Sequence, residues 1–289
     1  MAKELFKGNP DKRPVTGSSV SVFRYHRQAD QVPAGAAAPV PTPPILMPRR
    51  ANPTRIWEGL PAHALDQATA DAHHLIIAHQ DDPVGTMFDI LRTRMTQALE
   101  ERGWTRIAIC GPTVGCGASF VASNLALSLA RRPSSRTVLV DLDLATPRLA
   151  TVFGAPQVGP LRDMLTGDQP IESHMLRVGG NLALALNGRS ELQVSELLQE
   201  PSTIDTLDAL SQDLVPDVVL YDMPPVLGSD AVLAFLPQVD AVLLVADGTQ
   251  TQAEHIRECE RLFSNRTELL GVVLNRSEDR PPKKARTRS

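Results

Sequence analysis

From about residue 105 onward the chain alternates between two kinds of apolar pattern. Short runs with little polar interruption, Arg106–Cys110, Thr137–Val140, Leu182–Leu186, Val218–Tyr221, Ala241–Ala246 and Leu269–Leu274, predict strands buried on both faces. Between them, Phe120–Ala130, Leu161–Leu165, Glu191–Leu210, Asp230–Leu236 and Ala253–Phe263 read as helices. Upstream, Met87, Ile90, Leu91, Met95 and Leu99 recur at helical spacing across Val84–Glu101. Strand and helix in alternation predict an α/β domain, a mostly parallel sheet between two layers of helices. No stretch approaches the roughly 18 apolar residues of a membrane span.

The first 61 residues break this pattern. They hold ten of the 24 prolines, including Pro-Val-Pro-Thr-Pro-Pro at 39–44. Such composition buries little and keeps the chain extended. The expected organisation is a disordered Pro/Ala-rich tail over 1–80, an ordered domain over 81–277 and a basic tail over 278–289. Deleting residues 1–61 is then expected to leave thermal stability nearly unchanged.

Charge sharpens the division. The net charge of −4 over 289 residues splits into +5 for residues 1–61, −12 for 62–276 and +3 for the rest. An acidic body argues against a nucleic-acid-binding core. The basic tail, through Lys3, Lys7, Lys12 and Arg13, suits an anionic membrane surface. The first ten residues lack the apolar stretch of a signal peptide, and the three cysteines have no metal or redox spacing. The expectation is a cytoplasmic protein, peripheral at the inner membrane. His73, His74 and His79 read as a core or solvated group rather than a metal site, and Trp57 and Trp104 as packing anchors.

The chemistry gathers at strand ends. The first predicted strand of the alternation runs into Gly111-Pro-Thr-Val-Gly-Cys-Gly-Ala-Ser119 and then a helix. A glycine-rich turn between strand and helix presents backbone N–H groups and a helix dipole to phosphate. Gly115, Cys116, Gly117, Ala118, Ser119 and Phe120 would form the cradle, with the Ser119 hydroxyl placed for Mg²⁺. The second strand ends in Asp141 and Asp143, two positions apart and so on one side. The fourth ends in Asp222, an apolar strand closed by one acid, the arrangement that holds Mg²⁺. Three strand ends thus deliver a cradle and three carboxylates to one sheet edge, where ligands of such folds bind.

These segments, Gly111–Ala126, Val138–Asp143, Asp222-Met-Pro-Pro225 and Leu270-Gly-Val-Val-Leu-Asn275, resemble the bacterial tyrosine kinases (BY-kinases), relatives of the MinD/ParA ATPases. The resemblance spans roughly residues 83–276. It implies a three-layer P-loop domain using ATP and Mg²⁺, a role in capsule or exopolysaccharide export, and a membrane co-polymerase or export protein as partner. It implies that Ser119, Asp141 and Asp222 bind Mg²⁺, and that Asp141 and Asp143 form the acidic motif that activates an attacking tyrosine hydroxyl.

Three departures set this chain apart. Ala118 stands where the loop lysine belongs, and no lysine occurs between positions 13 and 282. The only tyrosines are Tyr25 and Tyr221, whereas the family carries a phosphorylated tyrosine cluster. The family's Glu-x-x-Arg-x-x-Arg, used for ring assembly, reads Thr86, Asp89 and Arg92, which degrades the basis for a homo-oligomer. The expectation is a pseudokinase whose hold on ATP and Mg²⁺ is weak or lost. One alternative is an ATPase or tyrosine kinase active despite Ala118. Another is a positioning ATPase of the MinD/ParA kind, against which Thr113 and Ala118 replace both lysines of that loop.

Overall fold

The computed structural model describes residues 52–76, 83–155 and 158–277. The basic segments before and after, with Tyr25 and His79, lie outside the described residues. Among those described, eight strands form one sheet: β1 (Ala62–His63), β2 (Arg106–Cys110), β3 (Thr137–Asp141), β4 (Met175–Val178), β5 (Leu182–Ala185), β6 (Val218–Asp222), β7 (Ala241–Asp247) and β8 (Glu268–Asn275). Their order is β1-β4-β5-β3-β6-β2-β7-β8. Every pairing is parallel except β4 with β5. All six apolar runs are strands; five are buried on both faces, but β8 is an edge strand that stays partly exposed, with Val272 and Leu274 open to solvent because only β7 flanks it.

Alternate strand residues feed two cores, one on each face. Val138, Val140, Val219 and Tyr221 face one helical layer, and Ile107, Ile109, Leu139 and Leu220 face the other. On the second face lie α3 (Pro83–Arg102) and α4 (Ala118–Ala130), which follow α1 (Pro53–Gly59) and α2 (Gln67–Ala72) in the chain. α4 is buried over nine consecutive residues, Val121–Leu129, which is why it is apolar nearly all round. α3 buries Phe88, Met95 and Leu99, while Met87 and Ile90 face outward, so only part of the expected apolar stripe is core.

The N-terminal boundary differs from expectation. Residues 52–76, assigned above to the tail, carry α1, β1 and α2 packed onto the domain. Trp57 is 2% exposed, and its Nε1 donates to the Leu214 carbonyl at 2.7 Å. His63 Nε2 bonds the Phe153 carbonyl at 2.8 Å, and β1 adds a strand beside β4. Asn52 caps α1 and Asp66 caps α2. The physical reason is that a single large aromatic with a satisfied N–H anchors a short segment that proline content alone would leave loose. Pro53 itself occupies the first turn of α1, where its missing N–H costs nothing.

Beyond α4 the helices are α5 (Leu149–Val152), α6 (Arg162–Leu165), α7 (Val194–Gln199), α8 (Pro201–Leu214), α9 (Ala231–Phe235) and α10 (Ala253–Phe263). Among the described residues, no helix is long and apolar enough to cross a membrane.

Candidate nucleotide site

The site lies where β3, β6 and β2 end side by side. Register sets Asp141 opposite Asp222 and Asp222 beside Ile109, so the acid closing β6 sits between the acid of β3 and the strand that feeds the loop. The loop after β2 reaches α4 through two left-handed glycines, Gly115 (φ 84°) and Gly117 (φ 90°). A Cβ at 117 would lie 2.2 Å from Asn275 Nδ2 and displace that amide from the loop, so glycine is favoured by space as well as by φ. Gly117 caps α4 without a side chain, which leaves the first N–H groups of that helix to a ligand.

The loop is braced from β8. Asn275 Nδ2 donates to the Cys116 carbonyl at 3.0 Å, and Arg276 Nη1 donates to the Gly115 carbonyl at 3.0 Å. The same Nη1 pairs with Asp247 Oδ2 at 2.6 Å. Asp247, at the end of β7, is buried; hydrogen bonds from Thr249, then the Arg276 guanidinium, hold its carboxyl below the usual range. Arg276 holds this position with a left-handed φ of 53°. The Cys116 thiol is buried between the hydroxyls of Thr113 and Thr251.

The carboxylates are not equivalent. Asp141 and Asp222 are 0% and 1% exposed. Asp141 Oδ2 accepts from the Leu149 N–H at 3.2 Å. Asp141 Oδ1 and both oxygens of Asp222 have no hydrogen-bond partner among the described residues. Burial pushes the Asp141 carboxyl well above the usual range, and neighbouring Asp222 adds to the rise. Burial also pushes Asp222 up to about 7, Asp143 adding to the rise and the Arg148 guanidinium acting the other way. Asp143 lies past the strand end and turns back on Thr146, whose Oγ1 donates at 2.8 Å; burial raises it too. The expected same-side pair is therefore one buried strand-end acid and one half-buried turn acid.

A cavity of about 310 Å³ opens beside the loop and Asp143. Its wall includes Gly115–Phe120, Asp143, Thr146 and Pro225, and also His73, Arg148 and Arg276, which the sequence reading did not place in the site. Asp141 and Asp222, the strand-end acids, do not line it. Phe120 stands at its rim and packs edge-on against Phe88, 5.8 Å between centroids. Among the described residues no cluster of three or more histidine, cysteine or acidic side chains forms a metal cage.

The residues nonetheless suit a magnesium–nucleotide complex. Buried carboxylate oxygens without donors are costly unless a cation neutralises them. Mg²⁺ takes one or two carboxylates, keeps waters and completes its shell with phosphate oxygens. Ser119, Asp141 and Asp222 would hold it, and the N–H groups from Gly115 to Ser119 would hold the phosphates. Bound there, the ion would neutralise phosphate charge.

The tyrosine and assembly positions are also on view. Tyr221 is fully buried against Phe235, centroids 5.0 Å apart, and its hydroxyl has no partner among the described residues. Arg92 Nη1 donates to the Ser128 carbonyl at 2.9 Å and pairs with Asp89 at 3.0 Å, while Asp89 also takes Ser128 Oγ and Arg131. This network ties α3 to α4 within one chain.

Known proteins resemble this chain in sequence and fold. Over 197 residues the chain is 33% identical to EpsB of Ralstonia nicotianae, which bears the name of a tyrosine-protein kinase; the match covers 68% of this chain and 26% of EpsB. The BceF tyrosine kinase domain superimposes with a TM-score of 0.60 at 26% identity, covering 78% of this chain and 98% of that domain. The domain is homologous to the bacterial tyrosine-kinase domain. The cell-division ATPase MinD of Pyrococcus furiosus also shares the fold, with a TM-score of 0.50 at 25% identity over 61% of this chain and 74% of MinD. The chain spans about a quarter of the length of the curated relatives it matches. No protein-family model matches it.

Proposed function

We propose that this chain is a BY-kinase-like protein of exopolysaccharide or capsule biosynthesis or export. In this reading it binds ATP and Mg²⁺ weakly, does not phosphorylate tyrosine, and regulates a membrane chain-length or export partner from the cytoplasmic side. Ala118 carries the reading. It opens α4 directly after the left-handed Gly117, in the position from which a lysine would reach the phosphates, and no described residue is a lysine.

Energetics say why one side chain matters so much. A charge-assisted hydrogen bond contributes about 1.5–3 kcal/mol to binding. A donor aimed at charge developing in the transition state is worth about 10²–10³ in rate. The cradle N–H groups and the buried acids remain, so binding weakens while turnover collapses. Two further features support the reading. The one described tyrosine hides its hydroxyl in the core, and the residues at the assembly positions, Asp89 and Arg92, are engaged inside the chain.

The test is to incubate the chain with Mg-ATP and measure phosphotyrosine by mass spectrometry together with phosphate release. The expected result is no phosphate on Tyr221 and release near background. Stoichiometric phosphotyrosine would establish the active-kinase alternative instead.

A further inference from the structure

We infer that Arg148 supplies the phosphate-side positive charge that Ala118 cannot. The inference rests on the reading of this site as a nucleotide site. Arg148 ends the turn that follows β3, and the site's own carboxylates shape that turn. Asp143 takes the N–H and hydroxyl of Thr146 at 3.3 and 2.8 Å, and Asp141 takes the N–H of Leu149 at 3.2 Å. The Arg148 side chain is thereby brought to the wall of the 310 Å³ cavity, facing the segment from Gly115 to Phe120.

Two arginines reach this cavity, and they are not alike. Arg276 is committed: its Nη1 already serves Gly115 and Asp247. Arg148 forms no ion pair with any described residue, although its field reaches Asp143 and Asp222 and favours their charged forms. A guanidinium near the strand-end acids, with five donors and no carboxylate of its own, matches a phosphate group bidentately. It reaches the cavity from the turn after β3 rather than from the loop itself, so a loop without lysine still has a cation on the wall of its cavity.

Calorimetric titration of the full chain with Mg-ATP tests this. Wild type should bind, and R148A should bind about 10–100-fold more weakly. R148K should recover part of the loss, and adding A118K to R148A should restore affinity by returning a cation to the same cavity. Arg148 is exposed, so thermal unfolding should be unaltered in R148A. Equal affinity of R148A and wild type would overturn the inference, as would a wild type with no measurable binding. The lack of kinase turnover is decided separately by phosphotyrosine, so a chain that binds through Arg148 and also phosphorylates would refute the proposed function alone.

Discussion

Arg276 Nη1 lies 3.0 Å from the carbonyl oxygen of Gly115, joining the end of β8 to the phosphate loop across 161 positions. Asn275 does the same for the next carbonyl, that of Cys116. A trans peptide unit points its N–H opposite its C=O. Tying these two carbonyls toward β8 therefore turns the N–H groups of Cys116 and Gly117 the other way, where a phosphate would sit. Replacing Arg276 by alanine removes that restraint and leaves buried Asp247 without its cation. Mg-ATP affinity should fall about 2–10-fold, the scale of one net hydrogen bond, and the melting temperature should drop. Calorimetry and thermal unfolding of R276A check both.

Trp57 reverses the expectation that the first 61 residues are dispensable. Its ring is buried, its N–H is satisfied by Leu214, and Arg136 lies over it at 5.6 Å. Trp57→Ala should cost about 3–5 kcal/mol of stability. Denaturant unfolding measures this; a change below about 0.5 kcal/mol, the range of ordinary surface substitutions, would mean that α1 does not hold to the core.

Tyr221 is buried for its ring, not its hydroxyl. The oxygen has no partner among the described residues, and burial pushes its pKa up. Tyr221→Phe keeps the contact with Phe235 and removes a polar group whose burial costs about 1–3 kcal/mol. The variant should be as stable as wild type or more so by equilibrium unfolding. A clear loss would reveal a partner for that hydroxyl.

Asp141 and Asp222 make stability depend on pH. Both carboxyls titrate higher in the folded chain than the ordinary 3.8, Asp222 at about 7, so the folded state binds more protons than the unfolded one across this interval. The Asp222 contribution is fully present below about pH 4 and is lost as pH rises through about 7; Asp141 acts in the same direction. Without Mg²⁺, the chain should melt higher at pH 5.5 than at pH 8. Asp222→Asn should raise the melting temperature at pH 8 and flatten that difference. Calorimetric melts showing the same slope in wild type and D222N would contradict this origin.

The sequence makes visible what local pattern controls. Strands buried on both faces need unbroken apolar runs, so β2, β3, β5, β6 and β7 could be read directly, and with them the loop and the strand-end acids; β8 shows the same kind of run although it lies at the sheet edge, partly exposed. The short β1 and β4 lack such runs. Trp57 shows only as a lone aromatic in proline-rich surroundings, since its partner Leu214 is 157 positions away. Arg148 and Arg276 follow no spacing rule; only the folding of the turn after β3 and the parallel pairing of β8 with β7 bring them to the cavity. His73 likewise reaches the wall through α2, which the pattern did not separate from the tail.

Ala118 replaces the loop lysine within an otherwise complete cradle. Titration of Mg-ATP into wild type and A118K measures it directly. Wild type should bind about 10–100-fold more weakly, the equivalent of about 1.5–3 kcal/mol for one charged hydrogen bond. Equal affinities for the two proteins would contradict the account.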